Sequence, residues 1–329
     1  MADAPPLVVV AGATATGKTE LGIRLAEASI AEGRPATVIS ADSRQVYRGL
    51  DIGTAKVGAA DRARVPHEGL DLADPPERFA LSDFVAHARE VLAHVAARDG
   101  VALLVGGTGL YLRAIARGID LEALPDDPEL RRQLEADLAA SDLPSLVARL
   151  ETLAPTLAAG TDRANPRRVL RALEIAELRG DGPRPAPRGY DGPVAWIGLT
   201  VDGAEHERRI AARARQQFDD GLIDEAVALS ERYYPGLPAF SAIGYQEAWD
   251  VVDGRRTLDE AVTADAGRNV AFAKRQRTWF RSEPDIAWLD ATGADPFDRA
   301  LALARAATSY ARVPTRAPEV SRRRDLSRR

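Results

Sequence analysis

The chain has 329 residues, 45% of them hydrophobic and 28% charged, with a formal net charge of −5 and no cysteine. That length buries a large core and suits two domains, or one domain carrying a sizeable insertion. The negative balance excludes a protein that coats nucleic acid indiscriminately, and the lack of cysteine excludes disulfides and thiolate chemistry.

The start, MADAPPLVVVAGA, carries no basic leader and too short an apolar run for a signal peptide, and no later stretch approaches a membrane span. The expectation is a soluble, cytoplasmic protein acting as a monomer. Charge is uneven: residues 1–160 hold 16 basic and 23 acidic side chains, net −7, and residues 161–329 hold 28 and 26, net +2. Any polyanion site must therefore be local. Of the 44 basic residues only Lys18, Lys56 and Lys274 are lysines. An ammonium is a compact point charge that guanidinium does not imitate at a tight site, which makes these three candidates for specific jobs.

In chain order, LVVVA (Leu7 to Ala11) reads as a short buried strand, followed by a glycine turn and a helix with apolar residues at helical spacing. ATVIS (Ala36 to Ser40) is a second strand. LSDFVAHAREVLAHVAARDG is a helix with Ser82 at its N-cap and Gly100 as its stop, leading into the strand VALLV. Strand, helix and strand in alternation imply an α/β fold with a parallel sheet, helices on both faces, and ligands at the carboxyl ends of the strands. Residues 124–193 change to helices only, two of them announced by Asp127-Pro128 and Asn165-Pro166, and read as an all-helical insertion. The core, 1–123 and 194–312, resumes with the strand VAWIGLTV and ends near a last strand in DIAWLD. Residues 313–329, rich in arginine, have little to bury and read as a disordered tail.

GATATGKT fits the phosphate-loop pattern G-x-x-x-x-G-K-T with a strand before it and a helix after. Gly12, Ala13, Thr14, Ala15, Thr16, Gly17, Lys18 and Thr19 would cradle a polyphosphate on backbone N–H groups, with Lys18 on its outer oxygens and the Thr19 hydroxyl available to Mg²⁺. Asp42 follows the second strand and has two chemical uses open to it, Mg²⁺ ligand or general base, beside a structural one as cap of a helix starting at Ser43. The strand LLVGG ends without the carboxylate that supports ATP hydrolysis in many phosphate-loop proteins. In its place stand glycines and Thr108, which cannot polarise water as a carboxylate would, so transfer to a bound acceptor is favoured over hydrolysis. An ordinary strand-to-helix turn capped by Thr108 is the structural alternative.

Two basic segments remain. In NPRRVLRALEI, Arg167 and Arg171 fall four apart with Arg168 beside them, while Val169, Ala172, Leu173 and Ala176 form the buried stripe; like charges at that spacing cost stability unless an anion pairs with them. In FAKRQRTWFR, a helix puts Lys274, Arg277 and Arg281 on one side and Phe272, Gln276, Trp279 and Phe280 on the other. Basic and aromatic side chains together suit a nucleic-acid backbone and unstacked bases, or else form a solvated face.

Taken in order, GATATGKT, ISADSRQVYRGLDIGTAK, VPHEGLD, LLVGGTGLYL, NPRRVLRALEI, SAIGYQE and AKRQRTWFR resemble the tRNA dimethylallyltransferase (tRNA isopentenyltransferase) family over roughly residues 7–290. The resemblance implies a phosphate-loop core, a helical insertion that grips the anticodon stem-loop, and transfer of a dimethylallyl group from its diphosphate to N6 of the adenosine 3′ of the anticodon. It implies diphosphate and Mg²⁺ at Gly12 to Thr19, Asp42 as general base, and catalytic parts for Lys18 and Thr108. It also implies tRNA contacts from Asp42, Ser43, Arg44, Gln45, Thr108, Arg131, Arg167, Arg168, Arg171, Gly244, Tyr245, Lys274, Arg275, Gln276, Arg277, Trp279 and Arg281. The chain departs from the family's pattern at Glu68, where a second histidine is usual, at Gln246, where a basic residue is common, and at Val270, where an arginine often stands. A small-molecule or nucleotide kinase shares the loop but leaves the basic segments unexplained; prenyl transfer to free adenine nucleotides leaves the insertion unexplained.

Overall fold

The computed structural model describes residues 4–121 and 125–310; the Arg-rich end of the chain lies outside them. Six strands form one sheet: β1 (Leu7–Gly12), β2 (Ala36–Ser40), β3 (His67–Glu68), β4 (Val101–Gly106), β5 (Val194–Thr200) and β6 (Ala287–Asp290). They run in the order β3-β2-β4-β1-β5-β6 and every pairing is parallel. β1 and β4 are buried along their whole length, which is why their sequences are unbroken apolar runs rather than alternating ones. β3 is two residues long, too short to leave a periodic trace, and the sequence gives no sign of it.

Among the helices, α1 (Lys18–Ala31), α2 (Ala59–Arg64), α3 (Leu81–Ala96) and α4 (Gly109–Ala116) intervene between or follow the first four strands. Helix α3 starts at Leu81, with the Asp83 carboxylate accepting from the Ala80 N–H at 2.7 Å. Ser82 is therefore inside the first turn and not its cap. α5 (Pro128–Ala140), α6 (Leu143–Leu153), α7 (Pro155–Ala159) and α8 (Pro166–Arg179) are consecutive. Asp127 caps α5 through the Glu129 and Leu130 N–H groups and Asn165 caps α8 through Arg168 N, each followed by Pro at the first helical position. After β5 come α9 (Gly203–Asp219), α10 (Leu222–Arg232), α11 (Tyr245–Val252), the long α12 (Leu258–Phe280) and, past β6, α13 (Phe297–Tyr310).

Contacts divide the chain into two compact units, one of Ala80–Ala86 with Leu110–Tyr190, the other of the remaining residues. The helical unit therefore begins earlier than the 124–193 read from sequence, taking in most of α4, and ends three residues sooner. Its core is a single leucine-rich cluster that includes Leu134, Leu146, Leu150, Leu157, Val169 and Leu173. The sheet unit packs Val8, Val10, Val38, Leu103 and Val105 against Leu21, Ile23 and Leu25 of α1. At about 2 kcal/mol for each large apolar side chain buried, this packing fixes the sheet from which the loops at its carboxyl edge are hung.

Candidate active site

The turn from β1 into α1 has the backbone its glycines predict. Gly17, at φ 91°, precedes the first residue of α1 and meets no neighbour that a side chain would strike, so the left-handed conformation alone asks for glycine. Ala15 also sits left-handed, at φ 58°. Within the loop the Thr16 hydroxyl donates to Ala13 O at 2.9 Å and Lys18 Nζ donates to the same oxygen at 2.6 Å. Burial, then the nearby Arg213 guanidinium, pull the Lys18 ammonium from 10.5 down to about 7, with Asp42 opposing them. The loop thus brings two desolvated cations, Lys18 and Arg213, close together.

At the end of β2, Asp42 Oδ1 accepts the Arg44 N–H at 2.8 Å. The capping role weighed from sequence is real, but the segment it caps is a turn and not a helix. No hydrogen bond to Asp42 Oδ2 exists among the described residues, so one carboxylate oxygen remains for chemistry. Thr108, at the end of β4, accepts the Ser43 N–H on its hydroxyl oxygen at 3.1 Å and gives its own N–H to Ala41 O. Its hydroxyl proton stays available to donate. Gly107 and Gly109 are explained by what crosses them: a Cβ would lie 2.2 Å from the Gln276 amide at the first and 2.2 Å from the Trp279 ring at the second. The glycines of GGTG thus let α12 press against the turn.

These groups line one cavity of about 550 Å³, where Lys18, Thr19, Asp42 and Thr108 are joined by Arg213, Arg268, Asn269 and Arg275. Its walls belong wholly to the sheet unit. Arg213, which the sequence reading missed, donates to the Thr14 hydroxyl at 2.7 Å, and its Nε is buried with no hydrogen-bond partner among the described residues. Burial lowers its pKa, Asp42 and Asp265 raising it. An arginine in the middle of an amphipathic helix leaves no local mark; only its pairing with a loop 199 residues away identifies it. Asn269 is held by Asp265, whose carboxyl burial pushes up to about 6.

A model of the IPP transferase family matches residues 45–283. A tRNA dimethylallyltransferase of Kineococcus radiotolerans is 42% identical over 303 residues, covering 90% of this chain and 94% of the relative. One from Anaeromyxobacter dehalogenans is also 42% identical, over 89% of this chain and 96% of its own. The chain belongs to the IPP transferase family. Among solved structures, the full-length tRNA isopentenylpyrophosphate transferase of Bacillus halodurans is 37% identical, with a TM-score of 0.66 and coverage of 91% of this chain and 94% of that one.

Within this IPP transferase several expected contact residues have other duties. Tyr245 is fully buried and its hydroxyl donates to Glu225 at 2.7 Å, so its side chain offers RNA no surface. Glu225 also accepts the N–H groups of Asp51, Ile52 and Gly53, clamping the loop that carries DIGTAK. Gln45 accepts the Ser40 hydroxyl and donates to Thr54 and Ala55 carbonyls of that loop. The Lys56 side chain is 1% exposed and its ammonium meets Tyr47 O, Asp51 and Asp71 at 2.6–2.8 Å, so its specific job is structural. Gln276 is buried, bridging Thr14 N and Gly107 O. Arg44 donates to Pro238 O at 3.0 Å; Lys274, Arg275 and Arg281 are exposed, while Arg277 and Trp279 are half-buried.

In the helical unit, the anion that Arg171 requires is internal. Glu174, 0% exposed, holds both Arg131 and Arg171 at 2.6 Å and accepts Asp127 N. Those two guanidiniums are therefore committed, whereas Arg167 and Arg168 are exposed, Arg168 near Asp162 at 3.3 Å. At the departures, Glu68 lies on β3 near His87, Gln246 donates to Asp250, and Val270 packs with Ala13 and Ile210 while Arg268 pairs with Glu247 at 2.7 Å.

Among the described residues no cluster of three His, Cys, Asp or Glu could hold a metal by itself. The loop offers the exposed Thr19 and the open oxygen of Asp42, both hard oxygen donors. That set suits Mg²⁺, which takes few protein ligands and completes its shell with phosphate oxygens and water.

Proposed function

We propose that this chain transfers the dimethylallyl group of dimethylallyl diphosphate to N6 of the adenosine 3′ of a tRNA anticodon. The observation that carries the reading is one cavity holding Lys18 and Arg213 at its phosphate end, Asp42 with an uncommitted oxygen, and Thr108, with no carboxylate at the end of β4 to direct water. The diphosphate is received by loop N–H groups, Lys18 and Arg213; Thr19 would hold Mg²⁺, which would supply further neutralisation of leaving-group charge. The adenine is splayed from the loop stack to enter. Its N6 attacks C1 of the donor as the C1–O bond breaks; the electron pair leaves on diphosphate, and Asp42 takes the N6 proton. Thr108 orients the incoming nucleotide.

RNA is engaged through the exposed cations, Lys274, Arg275 and Arg281 beside Trp279 of the sheet unit and Arg167 and Arg168 of the helical unit. No helix among the described residues is long and apolar enough to cross a membrane; a cytoplasmic monomer is the working state proposed. Incubation with dimethylallyl diphosphate, Mg²⁺ and unmodified tRNA, followed by nucleoside mass spectrometry, tests this. One dimethylallyl group gained on adenosine, absent with Lys18→Ala, supports it; a phosphorylated product and unchanged tRNA would replace it with a kinase.

A further inference from the structure

Thr14 is held at every polar atom it has. Its N–H donates to Gln276 Oε1 at 2.8 Å, and the same amide donates through Nε2 to Gly107 O at 3.0 Å. Its hydroxyl accepts from Arg213 at 2.7 Å. Its carbonyl lies 2.7 Å from His206 Nε2. A carbonyl oxygen only accepts, so the imidazole proton is on Nε2 and the Nδ1 lone pair faces Arg277, whose guanidinium donates to it at 2.8 Å. Thr14 is 8% exposed, Gln276 7% and His206 1%, so the bonds to the Thr14 N–H and carbonyl are shielded from competing water, while those of Arg213, Gly107 and Arg277 are partly buried.

Two consequences follow for the phosphate loop. The Thr14 N–H is spent on Gln276 and does not face the diphosphate, so the anion is received by the other N–H groups of the loop. The peptide planes on both sides of Thr14 are then fixed from outside the loop, by α9 through His206 and by α12 through Gln276. Burial, with Arg277, Lys18 and Arg209 close by, keeps the imidazole below its ordinary value, so the neutral tautomer needed for the relay persists.

We propose that Gln276 and the His206–Arg277 pair are positioning residues of the diphosphate loop acting through Thr14, and that Arg277 serves the donor side of the reaction rather than the RNA. The segment AKRQRTWFR is thereby divided: Lys274, Arg275 and Arg281 are exposed, Arg275 at the cavity wall, while Gln276 and Arg277 turn inward to set the loop. Displacement of reacting groups by about 1 Å costs on the order of a hundredfold in rate, which is the scale at stake if the loop loses these ties. The inference rests on the transfer reaction proposed above.

The test compares Gln276→Leu, Arg277→Ala, His206→Leu and His206→Gln with the parent protein. Donor KM and kcat are measured in transfer assays, tRNA affinity by filter binding, and donor affinity without tRNA by calorimetry. Gln276→Leu and Arg277→Ala are expected to lower kcat/KM for the donor about ten- to hundredfold while tRNA affinity stays within about twofold. His206→Gln, which can still donate to Thr14 O and accept from Arg277, is expected to recover most of what His206→Leu loses. A tenfold loss of tRNA affinity in Arg277→Ala with unchanged donor kinetics would overturn the proposal by placing Arg277 on the RNA. Donor parameters within twofold of the parent in all variants would overturn it as well. If His206→Leu does not fold, Arg277→Ala and His206→Gln still decide. If the parent itself transfers nothing to tRNA, the proposed reaction fails, and the calorimetric affinities still decide whether these residues set the loop.

Discussion

The lowered pKa of Lys18 predicts that a diphosphate donor binds with uptake of a proton. With a value of about 7 in the free loop, the ammonium is about half protonated at pH 7 and about one tenth protonated at pH 8. A diphosphate bound beside Lys18 would favour the charged ammonium and should restore full protonation. Uptake should therefore be about 0.5 proton at pH 7 and about 0.9 at pH 8, and affinity should fall about fiftyfold from pH 7 to pH 9 as the neutral amine must first be charged. The sign follows from the lowered value: the free protein binds fewer protons than the complex, so rising pH favours the free form. Calorimetry at pH 8 in two buffers of different ionisation enthalpy measures the uptake, with Mg²⁺ fixed and tRNA absent. The choice of pH 8 leaves the terminal phosphate, with a pKa of about 6, fully ionised throughout. Uptake below about 0.1 proton with tight binding retained would refute the reasoning, and Lys18→Ala should abolish whatever uptake is seen.

Asp42→Asn keeps an oxygen to cap the Arg44 N–H but no base, so transfer should fall by about 10²–10⁴ while tRNA binding stays within a few-fold; near-normal turnover removes Asp42 from the mechanism. Glu174→Gln leaves Arg131 and Arg171 without their shared carboxylate and should cost the helical unit about 3 kcal/mol in thermal or denaturant unfolding. Although burial alone would raise the Glu174 carboxyl, hydrogen bonds from Arg131, Arg171 and Asp127 hold it below 4.5. Its contribution is therefore present above pH 4.5 and lost as pH falls through the folded value, an acid-side slope the Gln variant should lack. Lys56→Arg puts a fork where three oxygens converge on one ammonium, and should lower stability by about 2 kcal/mol despite keeping the charge; an unchanged melting temperature would show that the site tolerates either cation.

Local chemistry made part of this protein readable. The phosphate loop was legible because the left-handed backbone at Gly17 and the lysine after it are demanded within eight residues. The caps at Asp127 and Asn165 were legible because an oxygen and a following proline act within one turn. The buried stripe of α8, Val169, Ala172, Leu173 and Ala176, followed from helical spacing alone. The rarity of lysine singled out three positions of different kinds and could not tell them apart: Lys18 lies in the phosphate loop, the Lys56 side chain is a buried structural hub, and Lys274 is exposed.

What the tertiary structure decided is the commitment of each polar group. Tyr245, Gln45, Gln276, Arg131 and Arg171 look like contact residues in sequence, yet each is satisfied by protein, through Glu225, the 54–55 carbonyls, Thr14 with Gly107, and Glu174. Arg213 and His206 look like unremarkable positions on an amphipathic helix, yet they hold Thr14 from 199 and 192 residues away. A sequence specifies backbone preferences and which faces are apolar, because those act over a few residues. Which donor meets which acceptor is set by the strand order β3-β2-β4-β1-β5-β6 and by the helices that order brings to one edge, and no spacing along the chain encodes it.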